Sequence, residues 1–442
     1  MADRIEKTTF SVAPVNRRTL LSASAALAGA AAVTLSPLLR SRAFAGQELN
    51  LTIIQPHAIA GEVLKKLFLE QTGVTLNFTV IPYDQVHAQA TLDVQSGANH
   101  YDVHDYWYTS IGALVDDKVV ADVTDLIEKD KDKVQPDDFI KSIYDAYTLV
   151  NGRRWGLPYD GDSHVLFYNT EILQRHGLQA PATWDGYYEA VKTITEHEKA
   201  NGVYGTALLG FKVPVIIVSS YANRLAGFGG KFLKDGQADL LSEESIAAAE
   251  ELVRVAPYAL PTPSETAFDQ ALPAFLSGKV AFLEFWTDLG VRSQDPKNSK
   301  IVDRWDVTQL PVGGKNKVPV AALDAGFGWA ISAGSKKKEL AWEFVRWASS
   351  SQIGIKLLTT YNSGIDPTRN STLNAPEYKS FAPKVQRAAA AAFGSALVWP
   401  TVPQAPKLLD ALTEQLALIL AGQAKPKAGL EAAQRAWERL LV

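Results

Sequence analysis

The chain contains no cysteine and only one methionine among its 442 residues. The absence of cysteine excludes disulfides, thiol catalysis and cysteine-based metal sites together. In an oxidising compartment it also removes disulfide mispairing as a hazard. After the first 45 residues there is no internal repeat, heptad run or long low-complexity segment, so the pattern is that of an ordinary globular protein large enough for two domains.

Two common catalytic signatures are also missing. The sequence contains neither a Gly-x-Ser-x-Gly elbow nor a His-Glu-x-x-His helix, which argues against an α/β-hydrolase and a zinc metalloprotease. Carboxylate side chains are abundant enough for glycosidase chemistry, so a secreted glycosidase stays open as an alternative.

Excess positive charge is lacking as well. The full chain has 44 Lys and Arg against 48 Asp and Glu, and the first 45 residues hold six of the basic and two of the acidic residues. The remaining chain therefore carries 38 basic against 46 acidic residues, a net charge of −8. No basic patch interleaved with aromatic residues is present, so we expect no nucleic-acid binding.

Residues 1–45 read as an export signal peptide of the twin-arginine type. Arg17 and Arg18 precede an Ala-rich apolar run, and the small residues Ala43 and Ala45 predict cleavage after Ala45. The run is cut short by Pro37 and diluted by small residues, which disfavours the alternative of an uncleaved anchor. Because no cysteine lies near the cut, no lipid can be attached there. We expect a freely diffusing periplasmic protein.

The chain after residue 45 alternates strand and helix patterns. Apolar strands are predicted at 49–54, 74–80 and 101–104, with helices between them at about 63–72 and 83–95. Such a series predicts an α/β fold with a mostly parallel sheet. Thr183, Ser242 and Ser335 precede further helical patterns and are predicted N-caps.

Four segments carry a resemblance to a known family. They are Trp155–Asn169, Gly278–Trp286, Gly326–Ser332 and Lys338–Phe344. In order and spacing they resemble the extracellular solute-binding proteins of carbohydrate ABC importers, the group that includes maltose-binding proteins. The resemblance covers essentially the whole chain after the leader.

The resemblance implies a two-lobed periplasmic-binding-protein fold of type II, with a hinge and a ligand in the cleft between the lobes. Lobe one would hold 46–158 and 312–350, and lobe two 159–311 and 351–442. It implies reversible binding of a small solute, delivery to ABC permease membrane subunits, a monomeric protein and no cofactor or metal.

Candidate ligand contacts follow from the chemistry of sugars. Hydroxyl groups need side chains that donate and accept hydrogen bonds, and C–H faces pack on aromatic rings. We therefore look for aromatic and polar residues at the carboxyl ends of strands. In the first half of the chain these are Asp105, Trp107, Gln55 and, less favoured, His57.

The second half supplies further candidates. Asp160 and Asp162 follow the predicted interlobe strand, and Trp286 corresponds by resemblance to a sugar-stacking tryptophan of maltose-binding proteins. Trp329 stands between glycines, and Arg369 could grip a hydroxyl or acidic group. Glu284 and Phe211 are weaker candidates. For some of these residues a structural role stays open as the alternative to ligand contact. Trp107 could pack in the core, Asp160 and Asp162 could stabilise a turn, and Arg369 could form an ion pair with Asp366 or another neighbour.

One segment departs from the family pattern. Pro400–Gln404 resembles the family, but Ala405–Leu412 lacks the stacking aromatic that follows in maltose-binding proteins. Trp399 lies just before this segment. Long α-glucans are therefore less expected than a mono- or disaccharide or a polyol.

Two other ligand classes remain as alternatives. The carboxylates Asp105, Asp160, Asp162 and Glu284 could hold a polyamine or another cationic solute. His100 and His104 could bind metal if they lay on a helix, but the strand pattern at 101–104 points alternate side chains to opposite faces.

Overall fold

A computed structural model describes residues 44–394 and 396–442. The predicted leader, residues 1–45, lies outside this part of the chain except for Phe44 and Ala45. Within the described residues, no helix combines the length and apolar character that crossing a membrane would need.

The helices and strands alternate along most of the chain. The strands are β1 Glu48–Ile54, β2 Thr75–Ile81, β3 Val103–Trp107, β4 Leu149–Val150, β5 Arg153–Arg154, β6 Leu157–Asp160, β7 His164–Asn169, β8 Tyr204–Thr206, β9 Leu233–Lys234, β10 Gln237–Ala238, β11 Val280–Trp286, β12 Trp305–Thr308, β13 Ala321–Ala322, β14 Phe327–Ile331 and β15 Ala396–Leu397.

The α-helices connect these strands along the chain. They are α1 Ala58–Thr72, α2 Val86–Gln95, α3 Ile111–Asp116, α4 Thr124–Lys129, α5 Lys131–Val134, α6 Lys141–Thr148, α7 Thr170–Arg175, α8 Trp184–Glu198, α9 Ser219–Phe228, α10 Glu243–Val255, α11 Phe268–Leu276, α12 Leu289–Ser293, α13 Lys338–Ala348, α14 Ser351–Leu358, α15 Asn370–Leu373, α16 Pro376–Phe381, α17 Pro383–Ala392, α18 Ala405–Leu420 and α19 Pro426–Leu440.

Two separate sheets define two lobes, as the family resemblance implies. Lobe one contains the five-stranded sheet β2-β1-β3-β14-β6, and lobe two contains the four-stranded sheet β12-β7-β11-β8. In lobe one β1 pairs in parallel with β2 and β3, whereas β14 runs antiparallel to β3 and β6. In lobe two only β11 and β8 are parallel. The parallel prediction therefore holds for the first strands and not for the later ones.

The chain crosses between the two lobes at points slightly away from the predicted lobe boundaries. β6 pairs with lobe one through Asp160, two residues beyond the boundary drawn at 158. Strand β7 of lobe two begins at His164, so the first crossing segment is 160–164. The Val312 carbonyl accepts the Trp184 N–H at 2.9 Å, so the chain still packs on lobe two at that point. The second crossing therefore lies between Val312 and the start of β14 at Phe327.

Helix boundaries follow the expected capping chemistry at two of three sites. The Thr183 hydroxyl accepts the Gly186 N–H, and the Ser242 hydroxyl accepts the Ser245 N–H, which confirms both N-caps. The Ser335 hydroxyl instead accepts the Lys337 N–H, in the turn before α13 begins. Two residues lie between Ser335 and the first helical residue, Lys338, so Lys337 holds the N-cap position instead.

Gly326 lies in the second crossing segment and has a φ of +106°, where L side chains are strained. A Cβ at this position would lie 1.9 Å from the Tyr147 hydroxyl oxygen. The Tyr147 ring is buried and stacks on Tyr108 with centroids 4.5 Å apart, so it has no room to withdraw. Glycine is thus required where the second crossing joins lobe one.

We expect Gly326→Ala to lower the free energy of unfolding by about 1–3 kcal/mol from overpacking, in addition to the backbone strain. Gly236→Ala is the matched control, because Gly236 also has a positive φ of +79° but open space around its Cβ position. Urea denaturation of both variants measures the difference. Equal losses of stability would show that the Tyr147 contact carries no cost.

Candidate functional site

A cavity with an empty volume of about 440 Å³ lies between the two sheets. Lobe one contributes the end of β1 and the turn after it, and lobe two contributes the end of β11 and the start of α11. The rest of the wall comes from the two crossing segments, the loop after β2, the turn Pro214–Val218, the residues after β11 and the segment after α14. The lining residues are Ile54, Pro56, His57, Tyr83, Asp162, Val215, Ile216, Phe268, Trp286, Asp288, Arg292, Ala325, Phe327 and Gly364.

Trp286 forms an aromatic wall of this cavity. It is the last residue of β11, and its side chain packs edge-on against His164 with ring centroids 4.4 Å apart. Phe268 lies beside it at 5.9 Å between centroids. The indole Nε1 is buried and has no hydrogen-bond partner within the described chain. The wall therefore offers an apolar ring face to the cavity.

Charged and polar groups line the same space. Asp162 comes from the first crossing segment, and Asp288 and Arg292 form an ion pair just after β11. Tyr83 enters from lobe one, and burial raises its pKa to about 12, so its hydroxyl stays protonated and can donate. This combination of acceptors and donors beside aromatic rings suits a polyhydroxy solute.

Asp160 lies behind the cavity wall rather than in it. Its Oδ1 accepts the Asp366 N–H at 2.7 Å, and its side chain is fully buried. Asp160, Asp162 and Asp366 each bring an oxygen within 4.8 Å of the other two. Burial, followed by the charges of these neighbours, raises the pKa of all three carboxyls well above the usual range.

A buried chain of hydrogen bonds connects the cavity to lobe one. The Tyr159 hydroxyl donates to Asp105 Oδ1 at 3.1 Å and lies 2.8 Å from His57 Nδ1. Burial and the nearby Arg292 charge lower the pKa of His57 to about 3, so the imidazole is neutral near pH 7. Burial raises the pKa of Asp105 to about 8 despite the Ile54 N–H and Tyr159 hydroxyl that bind it.

The structure corrects the expected cleft positions of Asp105 and Trp329. Strand β3 extends through Trp107, so Asp105 lies within the strand, where it accepts the Ile54 N–H at 2.9 Å in the interior of lobe one. Trp329 is fully buried in β14 and stacks on Tyr159 with ring centroids 4.3 Å apart. The flanking glycines of Trp329 accommodate neighbouring side chains: a Cβ at Gly328 would lie 2.4 Å from the Tyr106 hydroxyl.

Trp107 and Gln55 also differ from expectation. Trp107 is half-buried and packs edge-on against Trp399 at 5.6 Å between centroids, away from the cavity lining. Gln55 is exposed and begins the short 3₁₀ turn Gln55–His57. The last residue of this turn, His57, lines the cavity, whereas Gln55 does not. The end of β1 was therefore the right region, but the less favoured of its two polar residues lines the cavity.

Arg369 has a structural position in place of the expected ligand contact. Its guanidinium is buried over the Phe139 ring and donates to the carbonyls of Val134 at 2.8 Å and Ser349 at 2.7 Å. Its ionic partner is Asp138 at 3.4 Å rather than the neighbouring Asp366. The side chain therefore holds the segment after α14 against lobe one.

The two weaker candidates are also outside the lining. Glu284 accepts two hydrogen bonds from the buried Arg224 guanidinium, at 2.9 and 3.0 Å. Phe211 is largely exposed and does not line the cavity. Of the residues singled out from sequence, Trp286, Asp162 and His57 line the cavity together.

Several lining residues were missed by the sequence reasoning. Asp288 lies two residues after β11, and Tyr83 lies two residues after β2, so the search for polar residues at strand ends could have found both. Arg292 lies within α12 and Phe268 begins α11. Their positions depend on how distant elements pack together, which a single sequence does not encode locally.

The family model for bacterial extracellular solute-binding proteins matches residues 55–354. The chain therefore belongs to this family, and it is a solute-binding protein of an ABC transporter. Its two-lobed architecture, with a cavity between the lobes, is the fold that the sequence resemblance implies, so that prediction is confirmed.

Individual relatives are distant but cover most of the chain. A Sinorhizobium fredii protein named as a probable amino-acid ABC transporter periplasmic-binding protein is 24% identical over 76% of each chain. The arabinooligosaccharide-binding protein of Bacillus subtilis is 26% identical over 69% of each. The structure of an Agrobacterium radiobacter K84 solute-binding protein in complex with ribitol has a TM-score of 0.80 and 24% identity, and the match covers 90% of this chain and 99% of that one.

Asp105 makes the stability dependent on pH. With a pKa raised from 3.8 to about 8, the folded protein holds a proton that the unfolded chain releases, so this contribution is full at low pH and is lost as pH rises towards 8. We expect Asp105→Asn to be less stable than the wild type at pH 5 and to lose this disadvantage by pH 8.5. Guanidinium denaturation at both pH values measures the difference. A difference that does not change with pH would contradict the raised pKa.

Arg369 should contribute to stability and not to ligand affinity. We expect Arg369→Lys to lower the free energy of unfolding by about 2–4 kcal/mol, because lysine cannot reproduce the fork of donors to buried carbonyls. Arg387→Lys, at an exposed position on α17, is the matched control. Denaturation and ligand titration together test this prediction. If Arg369→Lys lost ligand affinity while its stability stayed unchanged, the prediction would be wrong and Arg369 would contact the ligand.

Proposed function

We propose that the protein binds a mono- or disaccharide or a polyol in the interlobe cavity and delivers it to an ABC permease in the membrane. The observation that carries this proposal is the arrangement around the cavity, where the Trp286 wall and the Asp162 carboxylate line one space. An aromatic ring packs against the C–H face of a sugar, and a carboxylate accepts its hydroxyl hydrogens.

The remaining polar groups fit the same ligand class. Arg292 donates only, Asp288 accepts, and the Tyr83 hydroxyl does both. A ring of hydroxyls on a small solute can satisfy such a mixed set without leaving a buried polar group unpaired. This supports a neutral polyhydroxy solute over an apolar one.

The sequence supports a small solute. The missing aromatic between Ala405 and Leu412 favours one or two sugar units or an open-chain polyol over a long glucan. The ribitol complex of a structural relative and the arabinooligosaccharide-binding relative are consistent with this class.

The proposed cellular role follows from the leader and the family. We place the protein in the periplasm, exported through the twin-arginine signal, unanchored and monomeric. Binding is reversible and without catalysis, and closure of the lobes presents the loaded form to the permease. The binding proteins among its relatives support a role without chemistry.

A thermal-shift screen tests the proposal. We expect at least one pentitol, hexitol, mono- or disaccharide to raise the melting temperature, since ligand at 100 times its Kd adds about 2.7 kcal/mol of stability. Trp286→Ala should remove this response by lowering affinity at least about tenfold, a change of about 1.4 kcal/mol. Isothermal titration calorimetry with the best ligand measures that change.

Trp347→Ala is the matched control, because this half-buried ring on α13 is absent from the cavity lining. It should lower the melting temperature and keep the ligand response. A response only to putrescine or spermidine, or only to amino acids, would contradict the sugar assignment. Turnover of chromogenic glycosides by the wild type would contradict the assignment of a non-catalytic role.

A further inference from the structure

Several acidic side chains cluster behind the cavity wall, and one of them, Asp162, also lines the cavity. Asp160, Asp162 and Asp366 are all at least nine-tenths buried, and one oxygen of each lies within 4.8 Å of the others. The Asp288 N–H donates to Asp366 Oδ2 at 3.2 Å, which brings a fourth carboxylate residue to the cluster. The first crossing segment, the residues after β11 and the segment after α14 therefore meet at this point.

The hydrogen bonds of the cluster satisfy only some of its oxygens. Asp160 Oδ1 accepts the Asp366 N–H, and Asp366 Oδ2 accepts the Asp288 N–H. Asp160 Oδ2 and Asp366 Oδ1 are buried with no hydrogen-bond partner within the described chain. The Thr287 hydroxyl, which lies against Asp366, is also fully buried and has no partner of ordinary hydrogen-bond geometry. Backbone donors thus satisfy one oxygen of Asp160 and of Asp366 and leave the other open.

Among the described residues, no side chain that is positively charged near pH 7 pairs with these three carboxylates. Arg292 pairs with Asp288, and His57, whose Nε2 lies 3.5 Å from Asp160 Oδ2, is neutral. Buried carboxylates without a partner cost several kcal/mol each, so such groups are ordinarily paired or bind a metal ion. The cluster is therefore short of both positive charge and hydrogen-bond donors.

We propose that Asp160, Asp162 and Asp366, with the Thr287 hydroxyl, bind a divalent cation of the calcium class. Ca²⁺ prefers oxygen ligands at 2.3–2.6 Å, so two oxygens that both bind it are at most about 4.8 Å apart. All three carboxylates meet this condition before any side chain moves. Mg²⁺ demands shorter and more regular coordination, so we expect it to bind more weakly.

The cation would join segments that belong to different parts of the fold. Asp160 and Asp162 come from the first crossing, and Asp366 comes from the segment that Arg369 fixes to lobe one. Asp162 also lines the cavity, so the cation lies next to the proposed solute. Its binding does not rest on the identity of that solute, and it is measured without any sugar present.

Terbium luminescence and thermal unfolding test this site on the purified protein after dialysis against a chelator. We expect Tb³⁺ to give saturable luminescence on excitation of the nearby tryptophans, and Ca²⁺ to compete with it. We also expect Ca²⁺ to raise the melting temperature. Asp366→Asn and Asp160→Asn should weaken Ca²⁺ binding at least tenfold, whereas Asp132→Asn, at an exposed position on α5, should leave it unchanged.

The asparagine variants also separate cation binding from a general loss of structure. Each replaces a carboxylate by an amide of the same shape and removes one like charge, so the metal-free melting temperature should stay the same or rise. No saturable Ca²⁺ or Tb³⁺ response at millimolar concentration would overturn the proposal. The same would hold if Asp366→Asn bound both ions as the wild type does, because the ions would then lie elsewhere on the surface.

Discussion

The close contact between the first crossing segment and the residues around Asp366 determines where the lobes meet. A Cβ at Gly161 would lie 2.2 Å from the Pro367 carbonyl oxygen, so only glycine permits this approach. The Gly161 N–H donates to the Asp366 carbonyl at 3.3 Å, and the Asp366 N–H donates to Asp160. These contacts fix Asp162 at the cavity wall and collect the buried carboxylates behind it.

The same contact gives two neighbouring acidic residues different positions in the structure. Asp160 and Asp162 are two positions apart, yet one is hydrogen-bonded inside the hinge and the other lines the cavity. Gly161 between them allows the backbone to lie close to Pro367, and the two carboxylates on either side have different surroundings. One short segment thus contributes both to the cavity wall and to the contact between the lobes. Substitutions in it should affect ligand affinity and stability together.

Sequence reasoning succeeded where the signal was local. The first strands and the capping residues Thr183 and Ser242 follow from short-range patterns, whereas Trp286 at the end of β11 follows from the family resemblance. It failed at Trp329 and Arg369, because glycine spacing and a lone charge do not reveal whether a side chain faces a cleft or a packed interior. Burial is decided by the partner element, such as Tyr159 against Trp329, and that partner is distant in sequence.

A crystal structure of the protein with the solute that gives the largest thermal shift tests the central claim most directly. The account predicts density for the solute in the interlobe cavity, with a C–H face within about 4 Å of the Trp286 ring and a hydroxyl hydrogen-bonded to Asp162. Density for the solute outside this cavity, or within it without contact to either residue, would contradict the account.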